Sequence, residues 1–283
     1  CEVMNCFITF EDVKKIYKNR LVQITLLLFI IVAVSDPLFV RFVYGGQPGF
    51  SEQVGANPFQ FWLLMNSSGW GHTVYRTLLF VFPVLSTGLI FFNERKTSIY
   101  ELLIVRKSRT QYLISKIGSV FIVTLFNFLL IFIVNLIVTH LCFSADAPLT
   151  EQYNFLIPKE ETFARNLYQI SPIMMELAYS FLNALAIALM SVLVLGIHMI
   201  FRFQNRLIAF LAPFLILYAV NYAEGLLLAN YMQYNLSIII QPRAASALST
   251  CITMADVVLV FISLFAVDVI VAFIGCRRNR DAL

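Results

Sequence analysis

Charge is what this sequence has least of. Only 13% of its 283 residues are Asp, Glu, Lys or Arg, against roughly a quarter in an ordinary soluble domain. With 60% hydrophobic residues and a mean hydropathy of +0.82, that shortage excludes a soluble globular domain and points to a polytopic membrane protein. The formal charge of +4 is therefore no nucleic-acid signal, and no nucleic acid is expected as a partner. It follows from where the basic residues sit.

Other absences narrow the chemistry. There is no G-x-x-x-x-G-K-[ST] run, so the chain does not itself bind nucleotide through a P-loop. There is no H-E-x-x-H, and the three histidines (His72, His140, His198) fall on separate segments. The cysteines Cys1, Cys6, Cys142, Cys251 and Cys276 show no metal spacing and no C-x-x-C. Neither a metal nor a cofactor is expected on this chain. Cys142 and Cys251 fall near the outer ends of apolar runs, where they could pair in an oxidising exterior or serve as small apolar residues. Ser67-Ser68-Gly69-Trp70-Gly71-His72 holds a serine and a histidine, but in a loop outside any nucleophile elbow. No cleavable signal peptide is evident, because the first apolar run is long enough to span and follows an amphipathic stretch. A lipoprotein-type start at Cys1 would put the N-terminus outside, against the charge pattern described next.

What is present is a set of long apolar runs. Six reach the roughly 20 residues needed to cross about 30 Å of hydrocarbon: Leu21–Val40, Val74–Phe92, Ile117–Leu141, Leu177–Phe201, Leu207–Ala229 and Val257–Cys276. The predicted fold is all-α. Residues 1–20 are read as a cytoplasmic interfacial helix, 21–276 as one six-helix transmembrane domain, and 277–283 as a cytoplasmic tail. Fifteen of the 20 basic residues, among them Lys14, Lys15, Lys18, Arg20, Arg95, Lys96, Arg106, Lys107, Arg109, Lys116, Arg202, Arg206 and Arg277, fall on one side. By the positive-inside rule both termini are cytoplasmic, in the cell membrane.

The connections differ in character. Thr9 and Asp12 predict a helix start, after which Phe10, Val13, Ile16 and Tyr17 share one face opposite Lys14, Lys15 and Lys18, the pattern of an interfacial helix. In the first external connection, Phe59–Leu64 is too short to span, and Trp62 and Trp70 suit headgroup depth. In the second, Pro158 and the residues to Arg165 predict a short surface helix. The third, Tyr231–Ala255, is apolar enough to enter the membrane and too broken to cross it. Such backbone is tolerated only where protein or water satisfies it, so it reads as re-entrant or interfacial half-helices. Pro83, with Ser86, Thr87 and Gly88, predicts a kink in the second span.

The connection from Asn93 to Lys116 is built like a docking element. Ser98 with Glu101, and Ser108 with Gln111, are capping boxes. The first opens a short helix over Ile99 to Val105 with Ile99, Leu102 and Leu103 on one face; the second opens the helix that re-enters the bilayer. A solvated loop that merely retains positive charge is the alternative reading of the same residues.

Six spans, an amphipathic N-terminal helix, a long basic second connection and a broken segment before the last span together resemble the type-2 ATP-binding-cassette (ABC) exporter permeases. The family's second connection has an acidic-basic pair, an acidic-x-Leu-Leu helix, a Ser-Arg turn and a Lys entering the third span. Here those positions are Glu94-Arg95, Glu101-Leu102-Leu103, Ser108-Arg109 and Lys116. Thr97-Ser98, Lys107 and Ser115 stand where the family often has Gly, Pro and Gly. The resemblance implies that Glu94, Arg95, Ile99, Glu101, Leu102 and Leu103 couple to a separate ATPase subunit, which carries the ATP and Mg. It also implies a second membrane subunit, with a substrate route at their interface.

Polar residues inside apolar runs are expensive and are usually partnered or functional. Tyr218, Asn221 and Glu224, at i, i+3 and i+6, are read as one face lining a substrate route or gate, with Arg243 as the nearest cation able to fold back on Glu224. Asn127 and Asn135, and Asn183, Ser191 and His198, form stripes that suit hydrogen bonding between packed helices. Asp268 lies in the inner part of the sixth span. A secondary, ion-coupled transporter or a membrane-assembly accessory is the competing class, with Glu224 and Asp268 as proton carriers. The lack of discernible inverted repeats weighs against it.

Overall fold

The computed structural model describes residues 10–44, 58–66, 69–85, 89–96, 109–143, 162–201, 203–242 and 251–280. Among these there is helix and no strand. Five helices are long and apolar enough to cross a membrane. They are α2 (Arg20–Tyr44), α6 (Arg109–Cys142), α8 (Pro172–Ile200), α9 (Arg206–Leu227) and α11 (Met254–Arg280). The shorter helices are α1 (Phe10–Tyr17), α3 (Pro58–Phe61), α4 (Trp70–Leu78), α5 (Leu89–Lys96), α7 (Phe163–Ile170) and α10 (Leu236–Ile239).

The predicted second span, Val74–Phe92, is not one helix among the described residues. It consists of α4, a turn over Leu79–Val81, a short helical stretch with a wide π-type turn at Val84–Leu85, and α5. Pro83 sits in the break, where its missing N–H and its ring both oppose a continuous helix. Elsewhere the apolar runs give helices longer than predicted, except the fifth, where α9 ends two residues before Ala229. The fourth begins at Pro172, which suits the first turn of a helix, so Glu176 belongs to α8 rather than to the loop before it.

The centre of the bundle is α8. Packed between α6 and α11, it presents small residues (Ser180, Ala184, Ala186, Ala188, Ser191, Gly196), all buried, and small side chains let apolar helices approach closely. At Gly196 an added Cβ would lie 2.6 Å from Val271 Cγ1, and at Gly275 one would lie 2.7 Å from Met199 Cβ. That crossing pins α11 to α8 near one end. The outward faces of α2, α9 and α11 are rich in exposed Leu, Ile, Val and Phe, as lipid-facing surfaces are.

The smaller elements are tied in by backbone and side-chain bonds. α1 packs along α6, with Ile16 fully buried and Lys14, Lys15 and Lys18 outward, so the apolar face meets protein. Trp62 is also buried, at 1% exposure, whereas Trp70 is exposed. α7 starts at Phe163, with the Thr162 side chain accepting from Arg165 N–H, and it runs five residues past the predicted end at Arg165. The third external connection is broken as expected: a 3-10 turn at Met232–Tyr234 and the single turn of α10, with Ile239 and Ile240 buried. Cys142 is a free thiol, so the pairing with Cys251 is not formed.

Candidate functional site

At the end of the bundle that carries Arg95, Lys116 and Arg277, the two ends of the second connection meet. Glu94 is in the last turn of α5, where Arg95 and Lys96 complement the helix dipole. Its Oε1 lies 2.5 Å from Lys116 Nζ, and its Oε2 accepts from the Tyr112 hydroxyl. The Lys116 side chain is only 2% exposed and that of Glu94 14%. Withdrawn from water in this way, the ammonium depends on the carboxylate, because an unpaired charge there would carry its full desolvation penalty. Glu94 and Lys116 thus form a clamp that sets the separation at which the connection leaves α5 and enters α6.

The clamp is backed by α1. Ser115 Oγ donates to Asp12 Oδ2 at 2.7 Å, and the Tyr17 hydroxyl donates to Asn127 Oδ1 at 3.0 Å. Burial pushes the Tyr17 phenol up, so it remains a donor at neutral pH. Ile16, Ile90, Phe91, Tyr112, Leu113, Leu195 and Met199 pack beneath as one buried cluster. The Arg95 guanidinium lies 5.5 Å from the centre of the Phe91 ring. With Lys96, His198, Phe201 and Phe203 it borders a cavity of about 320 Å³. Of the six residues expected to couple to an ATPase, Glu94 and Arg95 lie here. Ile99, Glu101, Leu102 and Leu103 fall outside the described residues.

At the opposite end, Asn221 and Glu224 line a small pocket with Leu79, Met190, Leu236, Ser237 and Ile240. The Leu236 N–H, at the start of α10, faces the Glu224 carboxylate. Tyr218 is not part of this pocket; it is 55% exposed, with its ring 6.2 Å from that of Phe214. Tyr218 and Glu224 stand at the two edges of a wide face for a geometric reason. Each step of three residues rotates by about 60° short of a full turn, so positions i and i+6 are about 120° apart. Arg243 lies outside the described residues.

No family model, curated protein or solved structure matches this chain.

Several buried polar residues act between elements. Asn183 links three: its Oδ1 accepts from the Tyr75 hydroxyl at 2.6 Å, and its Nδ2 donates to Ile240 O at 2.6 Å and Tyr179 O at 2.7 Å. Asn135 Nδ2 donates to Ala33 O and its Oδ1 accepts from Leu63 N–H. His140 and Glu176 lie 2.9 Å apart. Asp36, fully buried, accepts from Gly71 N–H at 2.8 Å. It thereby caps the first turn of α4 from α2, supplying an acceptor that N-cap Gly69 cannot. The signals for Asn135 and Asn183 were in the sequence as polar stripes. Asp36 stands out as a carboxylate near the outer end of the first apolar run, but no side-chain pattern marks its partner, the Gly71 backbone N–H.

Asp268 is different from all of these. It is 3% exposed, and among the described residues neither of its carboxylate oxygens has a hydrogen-bond partner.

Proposed function

We propose that the chain is the membrane-spanning permease subunit of an ATP-driven ABC exporter, with hydrolysis on a separate ATPase subunit. The observation that carries this reading is the clamp of Glu94 with Tyr112 and Lys116. Glu94 and Lys116 are the first and last positions of the permease-like pattern in the second connection, and the clamp holds the ends of that connection at a fixed spacing. A rigid mount is what a helix needs if motion of a docked ATPase is to reach the membrane helices rather than be lost in a slack loop. The lysine-rich flank of α1 and the basic ends of α5, α9 and α11 would face the cytoplasm, with both termini inside the cell membrane's inner surface. In this arrangement α4 and α5 together form the second of six spans. A second membrane subunit would cover some of the apolar outward surface of α2, α9 or α11.

The test is co-purification. Leu102 and Leu103 replaced together by Asp place two charges on the expected docking face. The variant should fold as the parent does, and lose both its ATPase and ATP-dependent transport in proteoliposomes. If the double variant keeps its ATPase and still transports, docking is elsewhere. If transport in proteoliposomes follows an imposed proton gradient and ignores ATP, the ion-coupled alternative with Glu224 or Asp268 as carrier replaces this reading.

A further inference from the structure

Between α6, α8 and α11 runs a groove of about 550 Å³. Its α11 wall extends from Met254 to Ala272, a rise of about 27 Å. Ile117 and Gly118 line it from α6, and the close crossing of α8 and α11 at Gly196 and Gly275 lies just beyond Ala272. The walls are aliphatic and aromatic, with Phe121, Phe261 and Phe265 among them, and among the described residues Asp268 is the one ionisable group in the lining.

An ionised carboxylate accepts hydrogen bonds and donates none. Left unpartnered among hydrocarbon it carries a large desolvation penalty. The nearby cations do not relieve it. Lys116, next to the groove residue Ile117, is bound to Glu94. Arg277 is about 14 Å further along α11 and lies over Phe273, 5.0 Å from the ring centre. Among the described residues, no side chain in the lining can donate to an anion. A neutral apolar molecule would leave the carboxylate as unsatisfied as before. A molecule with an apolar body and a positive centre meets both features, since aromatic faces also attract quaternary cations.

From this complementarity we infer that the groove is a binding site for lipophilic cations, molecules with a large apolar body and an ammonium or phosphonium centre, for which Asp268 is the counter-ion. The site lies wholly within this chain. It goes beyond the exporter reading and stands without it, because binding needs neither ATP nor a docked subunit. Access is from the bilayer, where such cations concentrate, and Asp268 acts by charge alone with no covalent step.

Equilibrium binding of radiolabelled tetraphenylphosphonium to the full chain, in nanodiscs of uncharged phospholipid, tests this. Wild type should bind saturably. Asp268→Asn, which keeps the volume and removes the charge, should lose at least tenfold in affinity. Asp268→Glu should retain binding, and Leu189→Trp, which fills the groove and leaves the carboxylate, should abolish it. Each variant is compared only after it elutes as a single species. Saturable binding that survives Asp268→Asn, competition by an uncharged tetraphenyl analogue as strong as by the cation, or no saturable binding in wild type would each overturn the proposal. Loss of ATPase coupling in the Leu102/Leu103 variant should leave this binding untouched, which separates the two readings.

Discussion

Glu94 and Lys116 stand 22 residues apart in sequence and 2.5 Å apart in space, joining the exit of α5 to the entry of α6. Because the lysine is almost wholly buried, removing its partner does more than delete an attraction. Glu94→Gln should lower thermal stability in detergent, on the order of 3 kcal/mol if the ammonium is left unpaired. Lys116→Met should be milder, since Glu94 is the more exposed of the two and keeps the Tyr112 hydroxyl as donor. The double variant should be less damaged than the sum of the singles, as expected for groups in direct contact. Additive losses in a melting series would show that the two act independently.

Orientation is open to direct labelling. The sorting of basic residues predicts that single cysteines at Gln47 and Tyr153 react with an impermeant maleimide added to intact cells. Cysteines at Lys107 and Arg278 should react only after lysis. Labelling of the Lys107 position from outside would reverse the topology and remove the docking site from the cytoplasm.

How much of this was legible beforehand differs by kind of interaction. The long apolar runs announce α2, α6, α8, α9 and α11 through length and composition alone, because hydrocarbon thickness sets one requirement for every spanning helix. Pro83 marks an interruption in Val74–Phe92 but not its extent, since a kink and a break present the same residue. Glu94 and Lys116 both stand out in the sequence, but as separate motif positions. That they pair depends on how α5 and α6 pack, which no local spacing encodes. Asn183 to Ile240 O is likewise a contact across 57 residues. A repeat of three places Tyr218 with Glu224, but that repeat drifts around the helix.

The cap on α4 makes a prediction about two glycines. A Cβ at Gly71 would lie 2.6 Å from Asp36 Cβ, and one at Gly69 would lie 2.4 Å from Asn66 Nδ2 and 2.6 Å from Asp36 Oδ1. Gly71→Ala should therefore push α4 away from α2 and destabilise by about 1–3 kcal/mol, the usual range for overpacking. Asp36→Asn should be milder, because the amide oxygen can still accept from Gly71 N–H. If Gly71→Ala melts like the parent, α4 is not seated on Asp36.

Glu224 offers the sharpest separation between a structural and a working carboxylate. It lies near the C-terminal end of α9, where the helix dipole disfavours negative charge, yet it faces the Leu236 N–H at the start of α10 and shares a pocket with Asn221 and Ser237. It therefore stands at the junction of the last full turn of α9 with the broken segment that precedes α11. Glu224→Gln keeps volume and acceptor capacity while removing the charge. If the junction moves during transport, as proposed for a gate, the variant should assemble and melt as wild type does. Its substrate-stimulated ATPase activity or its transport rate should nevertheless change several-fold. Arg243→Gln should mimic that change if Arg243 is the partner cation. Should both variants instead melt lower with activity per assembled complex unaltered, Glu224 serves only to hold α10 against α9.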